Sequence, residues 1–361
     1  MRQYKDFNDE VIIIKFFALC TLICILLSCK SNYDLDNFRD RLTPINRILD
    51  LTDEGWAVWG CSPIYGPDKK VHVFFARAPE TISEWPTKGE IAHATADNPE
   101  GPYTFHSTII KGRGKGYWDG LGIINPRIYK VDGKFALFYT ACEELPQNKR
   151  YGMHYDKIGL MLSDDLWHWS RANNGEPVLS PSDDPNAWDS YVTNNASFIK
   201  HPETGEYWLY YRGARSRNKG VHDCIGLVKS TSLEGPYVRV KENPIINTIG
   251  MTNVHDSSFR GFEDPCVWFE KGKFRMLVHD LGYNLEMNGG YYMESFDGIH
   301  WSEPALGYYG STYYWNEKGR VETPQLLLND NGEPEYLFVN RFTGERYSGF
   351  VFKVKPLSDR N

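Results

Sequence analysis

One arrangement recurs five times along the chain and governs what it can fold into. A short apolar segment is followed by a polar turn and then by an aromatic-rich segment: 61–65 with 71–76, 125–129 with 134–139, 195–199 with 207–211, 263–268 with 273–278, and 322–326 with 336–339. Taking Pro63, Pro126, Ser197, Pro265 and Pro324 as equivalent gives a period of about 60 to 70 residues. A second pattern repeats further along each unit. Residues 91–95 lead to Gly101-Pro102-Tyr103 and 225–228 to Gly235-Pro236-Tyr237, while 158–163 lead to Trp167-His168-Trp169 and 291–295 to Ile299-His300-Trp301. Asp-Gly, Asn-Gly and Gly-Pro pairs fall where hairpins turn. A helical period is visible only in 35–51.

Each interval has room for four strands. Radial repetition of four-stranded sheets buries the sheet faces and leaves no long edge exposed. The repeat therefore predicts an all-β fold, a five-bladed β-propeller with four-stranded antiparallel blades, over 56–357. The last unit shows three strands, which leaves a place for one from the N-terminal side. Residues 30–55 read as a tether followed by a helix or a wrap packed on one blade. Aromatic residues make up 15% of the chain, a content that suits half-buried strands and also suits stacking on sugar rings, the packing use being the commoner. The net charge of −7, without a basic stripe, argues against a nucleic-acid partner.

The N-terminus reads separately. Residues 16–27 form an apolar run after Lys15, too short to span a bilayer and of signal-peptide length. It ends in Leu26-Leu27-Ser28-Cys29, which resembles a bacterial lipobox. That implies a lipoprotein signal peptide over 1–29, lipidation at Cys29, and a location on the bacterial cell envelope with a lipid anchor as the sole membrane attachment. Asp6, Asp9 and Glu10 make this leader unusually acidic. Cys61, Cys142, Cys224 and Cys266 are widely scattered, so neither a cysteine-rich zinc site nor a redox pair is indicated.

The inner segments opening with X-Pro and followed by a Tyr-rich strand resemble the five-bladed glycoside hydrolases of families 43, 62, 32, 68, 117 and 130. Phe262-Glu263-Asp264-Pro265 is similar to the Glu/Arg-Asp-Pro motif of several of them. Ser163-Asp164-Asp165 with Trp169, and Ser295-Phe296-Asp297 with Trp301, match their outer hairpin. The resemblance covers 56–356. It implies hydrolysis of glycosidic bonds in plant or algal oligo- or polysaccharide, without a required cofactor. A structural Ca²⁺ is compatible with the architecture, but no ligand set is legible. One departure stands out. Family 43 enzymes carry a general-base Asp-Pro at the start of the first blade, and the matching position here is Ser62. Two alternatives follow: a family 130-like glycoside phosphorylase, and a non-catalytic carbohydrate-binding propeller.

In a propeller the inner strands start around one mouth of the axial channel, and the second strands, being antiparallel, end there. Such a channel is closed at depth and favours trimming of chain ends. Glycoside hydrolysis uses two carboxyl groups, an acid and a base or nucleophile. Glu263, Asp264 and Glu322 are the carboxylates at equivalent strand starts. Glu263 or Glu322 is the expected acid, Asp264 the second carboxylate or a modulator of its pKa, and Asp119 and Asp256 are further candidate bases. Trp59, Trp118, Asn125, Asn195, Arg212, His255, His279 and Arg341 are the candidate substrate ligands. Each has a plainer reading. Asp264 can serve its loop backbone, Glu322 can pair with Arg320 or Arg341, Asp119 can serve the Trp118-Asp119-Gly120 turn, the histidines can be structural, and the arginines can neutralise the channel's own acids. No Gly-x-Ser-x-Gly elbow, P-loop or His-Glu-x-x-His is present.

Overall fold

The computed structural model describes residues 37–79, 84–141, 156–215, 223–248, 261–282, 288–344 and 346–357. The first blade comprises β2 (Trp56–Tyr65), β3 (Val71–Pro79), β4 (Glu90–Ala96) and β5 (Thr104–Ile110). The second holds β6 (Ile123–Val131), β7 (Lys134–Ala141), β8 (Lys157–Ser163) and β9 (Ser170–Arg171). The third holds β10 (Val192–Lys200), β11 (Tyr207–Ala214), β12 (Cys224–Ser230) and β13 (Val238–Arg239), and the fourth β14 (Phe262–Glu270), β15 (Lys273–Asp280), β16 (Gly290–Ser295) and β17 (Ala305–Tyr308). The fifth runs β18 (Arg320–Leu328), β19 (Pro334–Phe342) and β20 (Tyr347–Val354), with β1 (Leu42–Leu49) as its outermost strand. All pairings within these sheets are antiparallel. The five-bladed propeller expected from the repeat is the observed fold.

Local chemistry sets the hairpins. Asp132 (φ 50°) and Gly133 (φ 78°) close β6 onto β7, and Lys271 (φ 48°) and Gly272 (φ 75°) close β14 onto β15. Two successive positive φ angles match the twist of the flanking strands, and glycine accepts one of them without cost.

Each seam between blades has its own apolar core. Phe74 and Ile91 of the first blade meet Ile128 and Leu137 of the second, and Phe138 of the second meets Phe198 and Leu209 of the third. Tyr210 meets Val267 and Met276, Leu277 and Tyr292 meet Val321 and Leu337, and Phe338 and Val351 meet Val58 and Val73, which closes the ring.

Every inner strand slips register at the same place, between Trp59 and Ser62, Ile124 and Arg127, Asn194 and Ser197, Glu263 and Cys266, and Glu322 and Gln325. The first residue of each bulge is left-handed: Gly60 (φ 63°), Asn125 (49°), Asn195 (52°), Asp264 (54°) and Thr323 (54°). Bulges of this kind re-aim side chains. They also correct the alignment of the repeats. The residues equivalent to Pro126, Pro265 and Pro324 are Cys61 and Ala196, not Pro63 and Ser197. The first-blade counterpart of Asp264 is therefore Gly60 rather than Ser62. Pro63 misleads because it lies beyond the bulge, opposite Val73, on a strand edge where a missing N–H is tolerated.

The N-terminal boundary also moves. Within 35–51 the described residues form a 3-10 turn (Phe38–Arg41) and then β1, not an α-helix, so the propeller begins ahead of Trp56. Phe38 is fully buried against Trp268 and Tyr292, and Arg41 forms a buried ion pair with Glu270 at 3.0 Å. Residues 1–29, with the leader and Cys29, lie outside the described residues.

Candidate active site

The residue just before each bulge stands at the channel mouth: Trp59, Ile124, Asn194, Glu263 and Glu322. Opposite them on the second strands are Ala76, Thr140, Arg212, His279 and Asn340. The ring is chemically divided. The first blade contributes the apolar pair Trp59 and Ala76, and Trp59 packs edge-on to Tyr347 of the fifth blade at 5.5 Å, with Tyr347 stacked on Phe342 at 4.1 Å. At the bulge positions the third, fourth and fifth blades place polar and charged residues, Asn194, Arg212, Glu263, His279, Glu322 and Asn340.

On the charged side, Glu263 Oε2 accepts from Arg212 Nη1 at 2.7 Å, and Arg212 Nε donates to Asp223 at 3.0 Å. Asn194 Nδ2 donates to Asp156 at 2.8 Å. Glu322 Oε1 pairs with Arg320 Nε at 2.7 Å and lies 3.5 Å from His279 Nε2. A carboxylate oxygen of Glu263, one of Glu322 and a ring nitrogen of His279 all lie within 4.8 Å of one another. Glu263 keeps 17% of its side chain exposed against 5% for Glu322, so Glu263 is the one that faces the opening. Burial pushes His279 down to about 4, leaving a neutral imidazole beside the glutamates near pH 7.

Asp264 sits at the left-handed bulge position, nearly inaccessible, and accepts from Arg127 Nη2 at 2.8 Å. Arg127 belongs to the second blade and Asp264 to the fourth, so this buried pair links non-adjacent blades across the ring, just beyond the bulges. Burial and the adjacent Glu263 charge raise the Asp264 carboxyl, against the opposing pull of Arg127 and Arg212. Two neighbouring carboxyls that cannot both ionise freely retain a proton to higher pH as a pair.

The remaining expected residues go elsewhere. The side chains of Asn125 and Asn195 bond to each other in the bulge ring between the second and third blades. Arg341 faces the seam with the fourth blade, donating to Ser311 Oγ at 2.7 Å and pairing with Glu317. Trp118 is buried, stacked on Tyr139 at 5.8 Å, and donates to Gly175 O at 2.8 Å. Asp119 is inaccessible and ion-paired to Arg113 and, at 3.1 Å, to Arg171. Trp188 and Asp189 repeat this latch on Tyr211 and Arg239 in the third blade. The turn reading of Asp119 thus fits its surroundings. His255 and Asp256 lie outside the described residues. Sequence reasoning missed Asp223, Asp156, Tyr347 and Phe342 as parts of the mouth. Asp156 and Asp223 share a position, each directly preceding the third strand of its blade.

Glu263, His279 and Glu322 are the cluster among the described residues that offers metal-binding atoms. It does not suit Ca²⁺, which takes six to eight oxygen ligands. One of the three donors is nitrogen, and both carboxylates already pair with guanidinium groups. A cavity of about 610 Å³ opens at the opposite mouth, walled by Tyr65, Tyr129, Phe198, Trp268 and Leu326. Its carboxylates, Asp132 and Asp330, sit exposed at the rim, so it lacks a buried acid–base pair.

No protein-family model and no curated protein matches the sequence. Solved structures do. A family 117 glycoside hydrolase from the marine bacterium Zobellia galactanivorans superposes with a TM-score of 0.64 at 15% identity, covering 88% of this chain and 91% of its own. An α-L-arabinofuranosidase from Lactobacillus brevis gives 0.59 at 13%, covering 89% and 94%, and a thermostable family 43 glycoside hydrolase gives 0.59 at 11%, covering 85% and 91%. The chain therefore shares its five-bladed fold, over nearly its whole described length, with glycoside hydrolases of families 117 and 43.

Proposed function

We propose that the protein is a glycoside hydrolase working at this mouth, with Glu263 and Glu322 as the carboxyl pair. The observation that carries the reading is the meeting of two glutamates from adjacent blades within 4.8 Å, beside the Trp59–Tyr347 aromatic contact at the same mouth. A sugar bound there has its apolar face toward Trp59 and Tyr347 and its scissile oxygen toward the carboxyls. Glu322 is the more deeply buried of the two and is ion-paired to Arg320 at 2.7 Å, which suits a nucleophile or base. Glu263 faces the opening beside the Asp264 carboxyl, which burial and the Glu263 charge raise, and from there it can reach a leaving oxygen, which suits the acid. The buried Arg127–Asp264 pair across the ring supports an exo mode. The plant or algal origin of the substrate draws support from the arabinofuranosidase and the marine bacterial enzyme among the fold neighbours. The lipid anchor at Cys29 remains part of the proposal, placing this mouth at the cell envelope.

A second reading, a binding propeller without turnover, is favoured by Gly60 at the first-blade position and by the arginine paired to each glutamate. Phosphorolysis draws less support, because Arg77, Arg212 and Arg341 are each engaged by a carboxylate. The test is sugar release from plant and algal oligosaccharides by the wild type, Glu263→Gln and Glu322→Gln. Each substitution is expected to lower kcat by about 10²- to 10⁴-fold. Oligosaccharide binding by all three proteins with no product from any would establish the binding reading instead.

A further inference from the structure

The connection from β17 to β18 carries four aromatic residues, Tyr309, Tyr313, Tyr314 and Trp315, around the short helix α1 (Ser311–Trp315). Two of them anchor it. The Trp315 ring packs 4.8 Å from Phe350, and the Tyr314 ring lies 4.8 Å from Phe352. The Tyr314 hydroxyl accepts the Tyr309 N–H at 3.2 Å. Arg341 fastens the helix from below, through Ser311 Oγ at 2.7 Å and with its guanidinium 4.8 Å from the Trp315 ring. Asn316, left-handed at φ 53°, ends the turn.

The other two rings are held outward by this frame. Tyr309 and Tyr313 stack with centroids 3.8 Å apart and planes 18° from parallel. Tyr313 is 66% exposed, so one ring face is covered by Tyr309 and the other meets solvent. Thr312, Asn316, Glu317 and Lys318 around it are also exposed and polar. A single exposed aromatic needs no explanation. A stacked pair on a helix fixed at both ends is different, because its bare face is already oriented and loses little entropy on binding a flat apolar partner. The partner that fits a rigid ring face fringed by hydrogen-bonding groups is the C–H face of a pyranose or furanose ring. The platform precedes β18, whose first residues include Arg320 and Glu322 at the mouth.

We infer that Tyr313, backed by Tyr309, is a sugar-stacking platform that holds part of an oligosaccharide chain away from the point of cleavage. This rests on the carbohydrate reading of the mouth. The experiment compares wild type, Tyr313→Ala and Tyr313→Phe on size series of agarose and arabinoxylan oligosaccharides, with retention on the parent polysaccharides measured by affinity electrophoresis. Tyr313→Ala is expected to abolish the affinity gain of longer over shorter chains, raising KM about five- to tenfold for the longest, while Tyr313→Phe keeps it. Polysaccharide retention that is lost in Tyr313→Ala, in a protein that hydrolyses none of the series, supports the platform and overturns the hydrolase reading alone. Hydrolysis with an unchanged length dependence in Tyr313→Ala overturns the platform alone. No retention and no hydrolysis by the wild type overturns both.

Discussion

Glu263 and Glu322 come from different blades, and charged groups crowd both. Arg320 and His279 converge on Glu322, while Arg212 is shared between Glu263 and Asp223. Their closeness has a stereochemical consequence. Inverting glycosidases keep their carboxyls about 6.5–9.5 Å apart to admit a water, whereas retaining ones hold them at about 5–5.5 Å. One oxygen of Glu263 and one of Glu322 lie within 4.8 Å, on the short side of that division, so retention of the anomeric configuration is expected. Proton NMR of the first-formed sugar reads this directly, and an inverted product would assign the attacking water to a third carboxylate and dissolve the pairing. These two glutamates were legible in the sequence because X-Pro marks the bulge in three blades and a carboxylate precedes it in two. Their partners were less legible. Asp223 reaches Arg212 within the third blade, across a connection whose length does not reveal a contact, and Tyr347 reaches Trp59 from the fifth blade, a contact that only ring closure makes.

At the level of elements, the motifs that looked most like family signatures turn out to be devices of folding. Ser163 Oγ accepts the N–H groups of Asp165 and Leu166 at 3.1 and 2.9 Å, and Ser295 Oγ accepts those of Asp297 and Gly298 at 3.3 and 2.9 Å. Both serines thus build the outer turn rather than a site. The Trp118-Asp119 latch is of the same kind, since Trp188-Asp189 repeats it one blade on. Asp119→Asn removes the charge that two guanidinium groups face in a buried position, so a loss of about 2 to 4 kcal/mol is expected, with specific activity per folded molecule intact. Chemical denaturation alongside kinetics separates the outcomes: normal stability with lost turnover would return Asp119 to the chemistry. β1 shows why one element was misread. Leu42, Ile45 and Ile48 are half-buried and Leu49 is buried, a spacing of three that imitates a helix. The cause is two register slips, at Pro44/Asn46 and Arg47/Leu49, which turn a period of two into one of three.

For the whole molecule, a ring is as stable as its weakest seam, because the apolar core of each blade packs on its two neighbours. The seam between the first and second blades holds an uncommon polar load. Asp68 Oδ1 lies 3.0 Å from His72 Nε2, His72 Nδ1 lies 2.9 Å from His93 Nε2, and both imidazoles are inaccessible. The His93 ring stacks on Phe74 at 4.5 Å and meets Trp167 of the second blade at 4.6 Å. Burial, then the neighbouring His72 and His106, push His93 down to about 3, opposed by Asp68. His72 is lowered as well, by burial and by His106 and Lys70 against Asp68. A histidine depressed in the folded state favours folding above its ordinary pKa of about 6.5, and that contribution is lost as the pH falls toward the folded value. For His93 alone the loss reaches about 3 kcal/mol by pH 4, since each unit of separation is worth about 1.4 kcal/mol. Acid unfolding is therefore expected to begin well above the range where paired carboxylates protonate, and to start at this seam. His93→Gln, which cannot take up the proton, should shift the acid midpoint downward even if it lowers stability at pH 7. Thermal melts across pH 4 to 8 measure both, and parallel curves for the two proteins would show that acid enters the fold elsewhere.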